Sequence, residues 1–322
     1  MKYGDVRGVN KKVSRLVQGA IMLNAQDLEG GFALLDGAYA QGCNTFDAAH
    51  IYGGGQCERV LGQWLEARGL REEVVLLTKG AHHNADRPRV TPCDITADLR
   101  DSLARLRTWY IDLYLLHRDD PAVPVGPIVE ILNEHRAQGR IHAFGGSNWS
   151  PERLEQANEY ADRHRLMPMV ASSPNFSLAE QVEEPWADCL TISGPQEEQA
   201  RRWYAERHMP LFTWSSLARG FFSGRLSRAT AEGARKLFDE SMPRAYYCEN
   251  NFRRLDRVEE LAREKGLSVP QVALAYVLNY PLNVFALVGS MNAEEFRVNA
   301  QALELELTEK EMAWLDLRRD RR

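Results

Sequence analysis

Four ionisable side chains stand where short apolar runs stop. In Cys43–Gly62, CNTFDAAHIYGGGQCERVLG, the run through Thr45 and Phe46 ends at Asp47, and Tyr52 follows. Gly53, Gly54 and Gly55 then break regular structure and let the backbone turn. VVLLTKG closes on Lys79, and DLYLLHRDD carries His117 at the end of its apolar run. Singly, each has an ordinary explanation: a solvated turn aspartate, a rim tyrosine, a lysine snorkelling to solvent, a capped histidine. Together they can do proton chemistry. An ammonium beside a phenol lowers its pKa from about 10, making it a usable proton donor or acceptor near neutrality. A carboxylate would hold that lysine, and a histidine would orient or polarise a carbonyl oxygen.

Bringing the four together needs a scaffold that gathers strand ends on one face. The chain alternates short apolar runs with longer amphipathic ones. Candidate strands are Leu16–Ile21, Cys43–Phe46, Val74–Thr78, Ile111–Leu116, Ile141–Gly145, Met169–Ser172, Leu211–Trp214 and Val284–Val288. Helical patterns lie between them, such as Asp27–Ala40, Cys57–Arg68, Asp94–Arg107 with Asp94 as N-cap, and Ser150–His164 opening Ser-Pro-Glu. Eight such repeats predict an α/β fold, a closed (β/α)8 TIM barrel, whose loops after the strands hold the chemistry. Lys2–Tyr3 and Lys12–Val13 read as an N-terminal β-hairpin, and Ser173–Gly194 and Ala218–Cys248 as long loops at the C-terminal face. With no linker or composition shift, residues 1–322 read as a single domain.

Composition excludes several classes of function. A net charge of −5 gives no basic surface for nucleic acid or anionic membrane. No apolar run is long enough to span a bilayer, and MKYGDVRGVNKK has no signal-peptide core. Five scattered cysteines without C-x-x-C spacing point to reduced thiols and a cytoplasmic setting. His82 and His83 are adjacent and lack a third ligand at helical spacing, so no metal site is expected. Neither G-x-G-x-x-G nor a P-loop motif is present.

FDAAHIYGGGQCERVLG, VVLLTKG, DLYLLHRDD and GGSNWS, in this order, resemble the aldo-keto reductases over nearly the whole chain. The resemblance implies a catalytic tetrad of Asp47, Tyr52, Lys79 and His117, with Tyr52 as general acid/base in hydride transfer between a nicotinamide and a carbonyl or alcohol. It implies NADP or NAD as cofactor. Ser147 and Asn148 would hold the carboxamide, with Ser173 where the family usually has glutamine. Trp214 would stack on the nicotinamide, and Ser215, Leu217 and Gly220 would lie against the pyrophosphate. Gly289, Ser290, Asn292, Glu295 and Asn299 would meet the adenosine end. There Met291 and Glu295 stand where many members carry basic residues, so NADP preference is expected to weaken and NAD to be usable, with Arg297 able to rescue NADP.

Substrate contacts are expected from Met22, Asn24, Arg118 and Trp149, which suit a small aldehyde, a ketone or a sugar in a monomer or homo-oligomer. Two other readings use the same residues. Lys79 could form a Schiff base in a barrel lyase. Alternatively, the chain could be a cofactor-binding, redox-sensing subunit resembling the β subunits of potassium channels.

Overall fold

The computed structural model describes residues 1–322, and the side chains of all but Ala234 and Arg235. Strands β1 (Tyr3–Gly4) and β2 (Val13–Ser14) pair antiparallel as a hairpin. Eight strands then form the barrel: β3 (Leu16–Gly19), β4 (Thr45–Asp47), β5 (Val75–Gly80), β6 (Ile111–Leu116), β7 (Ile141–Ser147), β8 (Ala171–Ser173), β9 (Leu211–Thr213) and β10 (Val284–Val288). Neighbours in sequence pair in parallel, and β10 closes the ring by pairing with both β9 and β3. Val284 stands opposite Leu211, and Ala286 opposite Leu16. The expected (β/α)8 barrel and hairpin are both present.

Helix boundaries follow their caps. Asp27 accepts from the Gly30 amide at the start of Leu28–Ala40, and Ser150 from the Arg153 amide at the start of Pro151–His164. The helix expected over Asp94–Arg107 runs instead over Pro92–Arg105, because Thr91 rather than Asp94 is its N-cap. Asp94 is occupied by Arg87, Arg89 and the Thr91 hydroxyl, which hold its pKa down to about 2. The long segment after β9 is more helical than its composition suggested, with short turns at Ala218–Gly220 and Arg228–Thr230 and a helix at Ser241–Tyr246. Helices Glu249–Lys265 and Val269–Asn279 follow before β10. Where strands meet, small residues are obligatory: a Cβ on Gly145 would stand 2.0 Å from the Ala171 carbonyl oxygen of the next strand.

Candidate active site

At the C-terminal ends of the strands the barrel opens into a cavity of about 1390 Å³. Asp47, Tyr52, Lys79 and His117 all line it. Asp47 ends β4, Lys79 is the penultimate residue of β5, and His117 follows β6. Tyr52 opens the turn Tyr52–Gly55, in which Gly53 and Gly54 take left-handed dihedrals (φ 56° and 62°) that favour glycine. That turn is tied to the strands. The His50 amide donates to the Lys79 carbonyl oxygen at 2.8 Å, and Arg105 donates to the His50 carbonyl oxygen at 2.8 Å. Arg105 also reaches the fully buried Glu58, which accepts from Thr78 of β5 at 2.7 Å.

The side chains of Lys79 and Asp47 form a buried ion pair, and the Lys79 ammonium also donates to the Ala48 carbonyl oxygen at 3.2 Å. It lies 5.3 Å from the centre of the Tyr52 ring. The Tyr52 and His117 rings meet edge to face with centroids 5.7 Å apart. Burial works against the Lys79 ammonium, but Asp47 and Tyr52 outweigh it and the lysine pKa is raised. Such a lysine is held protonated, which opposes the free amine a Schiff-base role needs.

The expected lowering of the Tyr52 pKa is not what the enclosed site produces. Burial pushes the phenol above its ordinary value, and the opposing pulls of Lys79 and Arg118 do not reverse this. The hydroxyl is therefore a proton carrier at neutral pH. His117 is driven well below the usual imidazole range, first by burial and then by Lys79, Arg118 and His82. It is a neutral imidazole, and its Nδ1 is buried without a hydrogen-bond partner among the described residues.

From the tetrad the cavity continues past Ser147, Asn148 and Trp214. Ser215, Leu217, Gly220, Gly289, Ser290, Glu295 and Asn299 also line it. Asn148 takes a left-handed backbone (φ 58°), and its side chain bridges the His117 carbonyl oxygen and the Leu190 amide. Ser215, Ala218, Arg219 and Gly220 also have positive φ, a backbone habit that builds anion-binding concavities. The indole Nε1 of Trp214 is buried without a partner among the described residues. Met22, whose sulfur lies beside Gly289, and Arg118 also line the cavity.

Four expected contacts lie elsewhere. Ser173 stands behind the wall, donating to the Phe212 carbonyl oxygen at 2.6 Å while its own carbonyl oxygen accepts from Ser147. Asn292 faces outward and caps helix Ala293–Ala300 by accepting from the Glu295 amide. Asn24 is exposed and accepts from the Gln26 amide. Trp149 is fully buried beneath Arg118, donating to its carbonyl oxygen at 3.1 Å. Arg297 forks onto Glu294 on the surface and does not reach the cavity. Among the described residues no group of three or more His, Cys, Asp or Glu could hold a metal ion. All five cysteines are free. Among the described residues no helix is long and apolar enough to cross a membrane.

The sequence profile of the Aldo/keto reductase family matches residues 15–317. The chain belongs to that family. Among its relatives, the uncharacterized oxidoreductase YrpG of Bacillus subtilis is 28% identical, covering 98% of this chain and 95% of that protein. A probable voltage-gated potassium channel β subunit of Oryza sativa subsp. japonica is 26% identical, covering 95% of this chain and 92% of that one. The glycerol dehydrogenase AKR11B4 of Gluconobacter oxydans superposes with a TM-score of 0.78 at 24% identity, over 98% of this chain and 94% of the other. An aldo-keto reductase of Klebsiella pneumoniae, solved in complex with NADPH, gives 0.73 at 24% identity over 98% and 95% of the two chains.

As an aldo/keto reductase the protein shows cavity residues that the motifs did not reveal. Arg225 crosses to Glu295 with a 3.0 Å ion pair, and Arg219 is held at 2.5 Å by Asp239. Phe238, Arg263 and Pro270 complete the far wall. Arg219, Arg225, Phe238 and Asp239 belong to the aperiodic segment after β9. The length of that segment marked it as a binding loop, but nothing in its spacing showed which side chains turn inward.

Proposed function

We propose that the protein is a nicotinamide-dependent carbonyl reductase in which Tyr52 supplies the proton. The observation that carries this reading is a protonated Tyr52 and a neutral His117 facing one cavity beside the Lys79–Asp47 pair. The cavity fits a dinucleotide: it exceeds the roughly 300–1,000 Å³ of ordinary small-ligand sites. The unpartnered Trp214 Nε1, the left-handed run after β9 and the Ser290–Asn299 pair lie along its length.

When bound, a reduced nicotinamide supplies a hydride to the carbonyl carbon and is oxidised. Tyr52 gives its proton to the carbonyl oxygen as the C=O π bond breaks, so aldehyde or ketone becomes alcohol. His117, neutral and fixed at the end of β6, orients that oxygen. Lys79 stabilises the phenolate left on Tyr52, and Asp47 keeps Lys79 charged and in place.

The pH dependence tests this assignment. Because Tyr52 sits above the ordinary phenol value, reduction of a panel of aldehydes is expected to be flat through neutrality. It should fall only under alkaline conditions, when the phenol loses its proton near or above pH of about 10. Oxidation of the matching alcohols needs the phenolate and should rise over that same range. A reduction profile peaking at neutrality and controlled by a group titrating there would contradict the roles given to Tyr52 and His117.

Cofactor choice follows from Glu295. Its carboxylate accepts from the Met291 amide at 2.9 Å and pairs with Arg225 across the cavity. A carboxylate accepts bonds from a ribose diol and repels a phosphate, whereas Arg225 is a cation able to receive one. With both present, NADH and NADPH are expected to bind with less than about hundredfold discrimination. Glu295→Gln should shift the balance toward NADPH by about tenfold, by removing one repulsive charge and freeing Arg225. Tryptophan-fluorescence titration measures both affinities, and a hundredfold NADPH preference in the unmodified protein would end the idea.

A further inference from the structure

Arg118 is only 6% exposed, yet it lines the tetrad end of the cavity. Buried arginines ordinarily have a carboxylate partner, because an unpaired buried charge is expensive. Here Nη1 donates to the His117 carbonyl oxygen at 3.0 Å, and Nη2 points to the Cys189 sulfur at 3.6 Å. Among the described residues Nε is buried with no partner and no carboxylate pairs with this guanidinium, Asp119 being held by Arg153. Four of the five acids that line the cavity are engaged elsewhere, and the fifth, Glu259, lies on helix Glu249–Lys265. Asp47 holds Lys79, Asp239 holds Arg219, Glu294 holds Arg297 and Glu295 holds Arg225. His117, His82 (with a pKa lowered to about 4, mainly by burial) and the Cys189 thiol, whose pKa burial raises, put no negative charge beside Arg118, and Glu184, near Cys189, is exposed.

We infer that Arg118 is the counter-charge for an oxoanion on the substrate, so that the carbonyl compound reduced at Tyr52 carries a carboxylate or phosphate group. This rests on the carbonyl-reductase reading above and names its substrate class. The guanidinium is anchored from behind by the His117 carbonyl oxygen, and Trp149 fixes the Arg118 main chain through its carbonyl oxygen. A planar fork held in this way can hold carboxylate or phosphate oxygens by charge-assisted hydrogen bonds. The substrate's anion is unchanged by the reaction: only its C=O gains a hydride and a proton.

The test compares matched substrates that differ in the anion. One pair is para-carboxybenzaldehyde and its methyl ester; the other is glyceraldehyde phosphate and glyceraldehyde. In the unmodified enzyme the anionic member of at least one pair should have a kcat/KM about 10- to 100-fold higher, the range for a hydrogen bond to a charged group. The pair with the larger ratio distinguishes carboxylate from phosphate. Arg118→Met should collapse that ratio to one or below, and Arg118→Lys should restore part of it. The ratio is internal to each variant, so a general loss of activity does not imitate the result. Benzoate and inorganic phosphate, followed by tryptophan fluorescence, give a readout without turnover, and the tighter of the two should weaken at least about tenfold in Arg118→Met.

If the unmodified enzyme reduces the neutral members as well as the anionic ones, the inference is overturned and the reductase reading stands. If it reduces no member of either pair with NADH or NADPH, both fall together.

Discussion

Tyr52→Phe is expected to bind NADH and NADPH as the unmodified protein does and to lose carbonyl reduction by about 10²- to 10⁴-fold, the range for removing a positioned general acid. The substitution leaves the ring, its edge-to-face contact with His117 and its place beside the Lys79 ammonium. It removes only the hydroxyl, the group that burial keeps protonated. The fold should hardly notice, because Tyr52 lines the cavity and Lys79 retains its ion pair with Asp47. Single-turnover absorbance of the cofactor separates binding from chemistry. Reduction at the unmodified rate would remove Tyr52 from the mechanism, whereas weakened cofactor binding with normal turnover would make it a packing residue.

The barrel was legible because short apolar runs recur eight times with a helical pattern between one run and the next. The tetrad was legible for a related reason. Asp47, Lys79 and His117 are polar residues at the point where an apolar strand stops, and Tyr52 precedes three glycines. Residue type and strand end together are a local signal. What stayed hidden depends on enclosure and on rotamers. The direction of the Tyr52 pKa is decided by desolvation of the phenol inside the cavity, and a lysine neighbour alone suggested the opposite sign. Trp149 looked like a pocket residue because it follows Ser147 and Asn148, but it turns inward beneath Arg118.

Arg225 and Arg219 were hidden because they sit on a segment without periodicity, where sequence spacing does not say which side chain faces inward. Arg297, with a clear helical position, was legible but is held by Glu294 and does not itself line the cavity. The adenosine end is therefore read differently once the fold is known. The cation paired with Glu295 is Arg225, from the segment after β9, and not Arg297 of the helix that follows β10.

Lys79→Met should lose both activity and stability, and the two losses have separable causes. The ammonium is 2% exposed and faces a carboxylate that is as enclosed. Removing one member leaves Asp47 buried without its counter-charge, a defect of about 3–5 kcal/mol in other proteins. The urea midpoint should fall accordingly with little change in m-value. Activity should fall at least about 100-fold, because the phenolate formed on Tyr52 loses the cation that lowers its pKa. Adding Asp47→Asn removes the stranded charge, so the double variant should recover much of the lost stability, since replacing a whole buried pair is often neutral. It should recover none of the activity, because Tyr52 still lacks its cation. If the double variant regained reduction along with stability, the role of Lys79 would be to fill the core of the barrel mouth, and the stabilisation of Tyr52 would have to come from Arg118 alone.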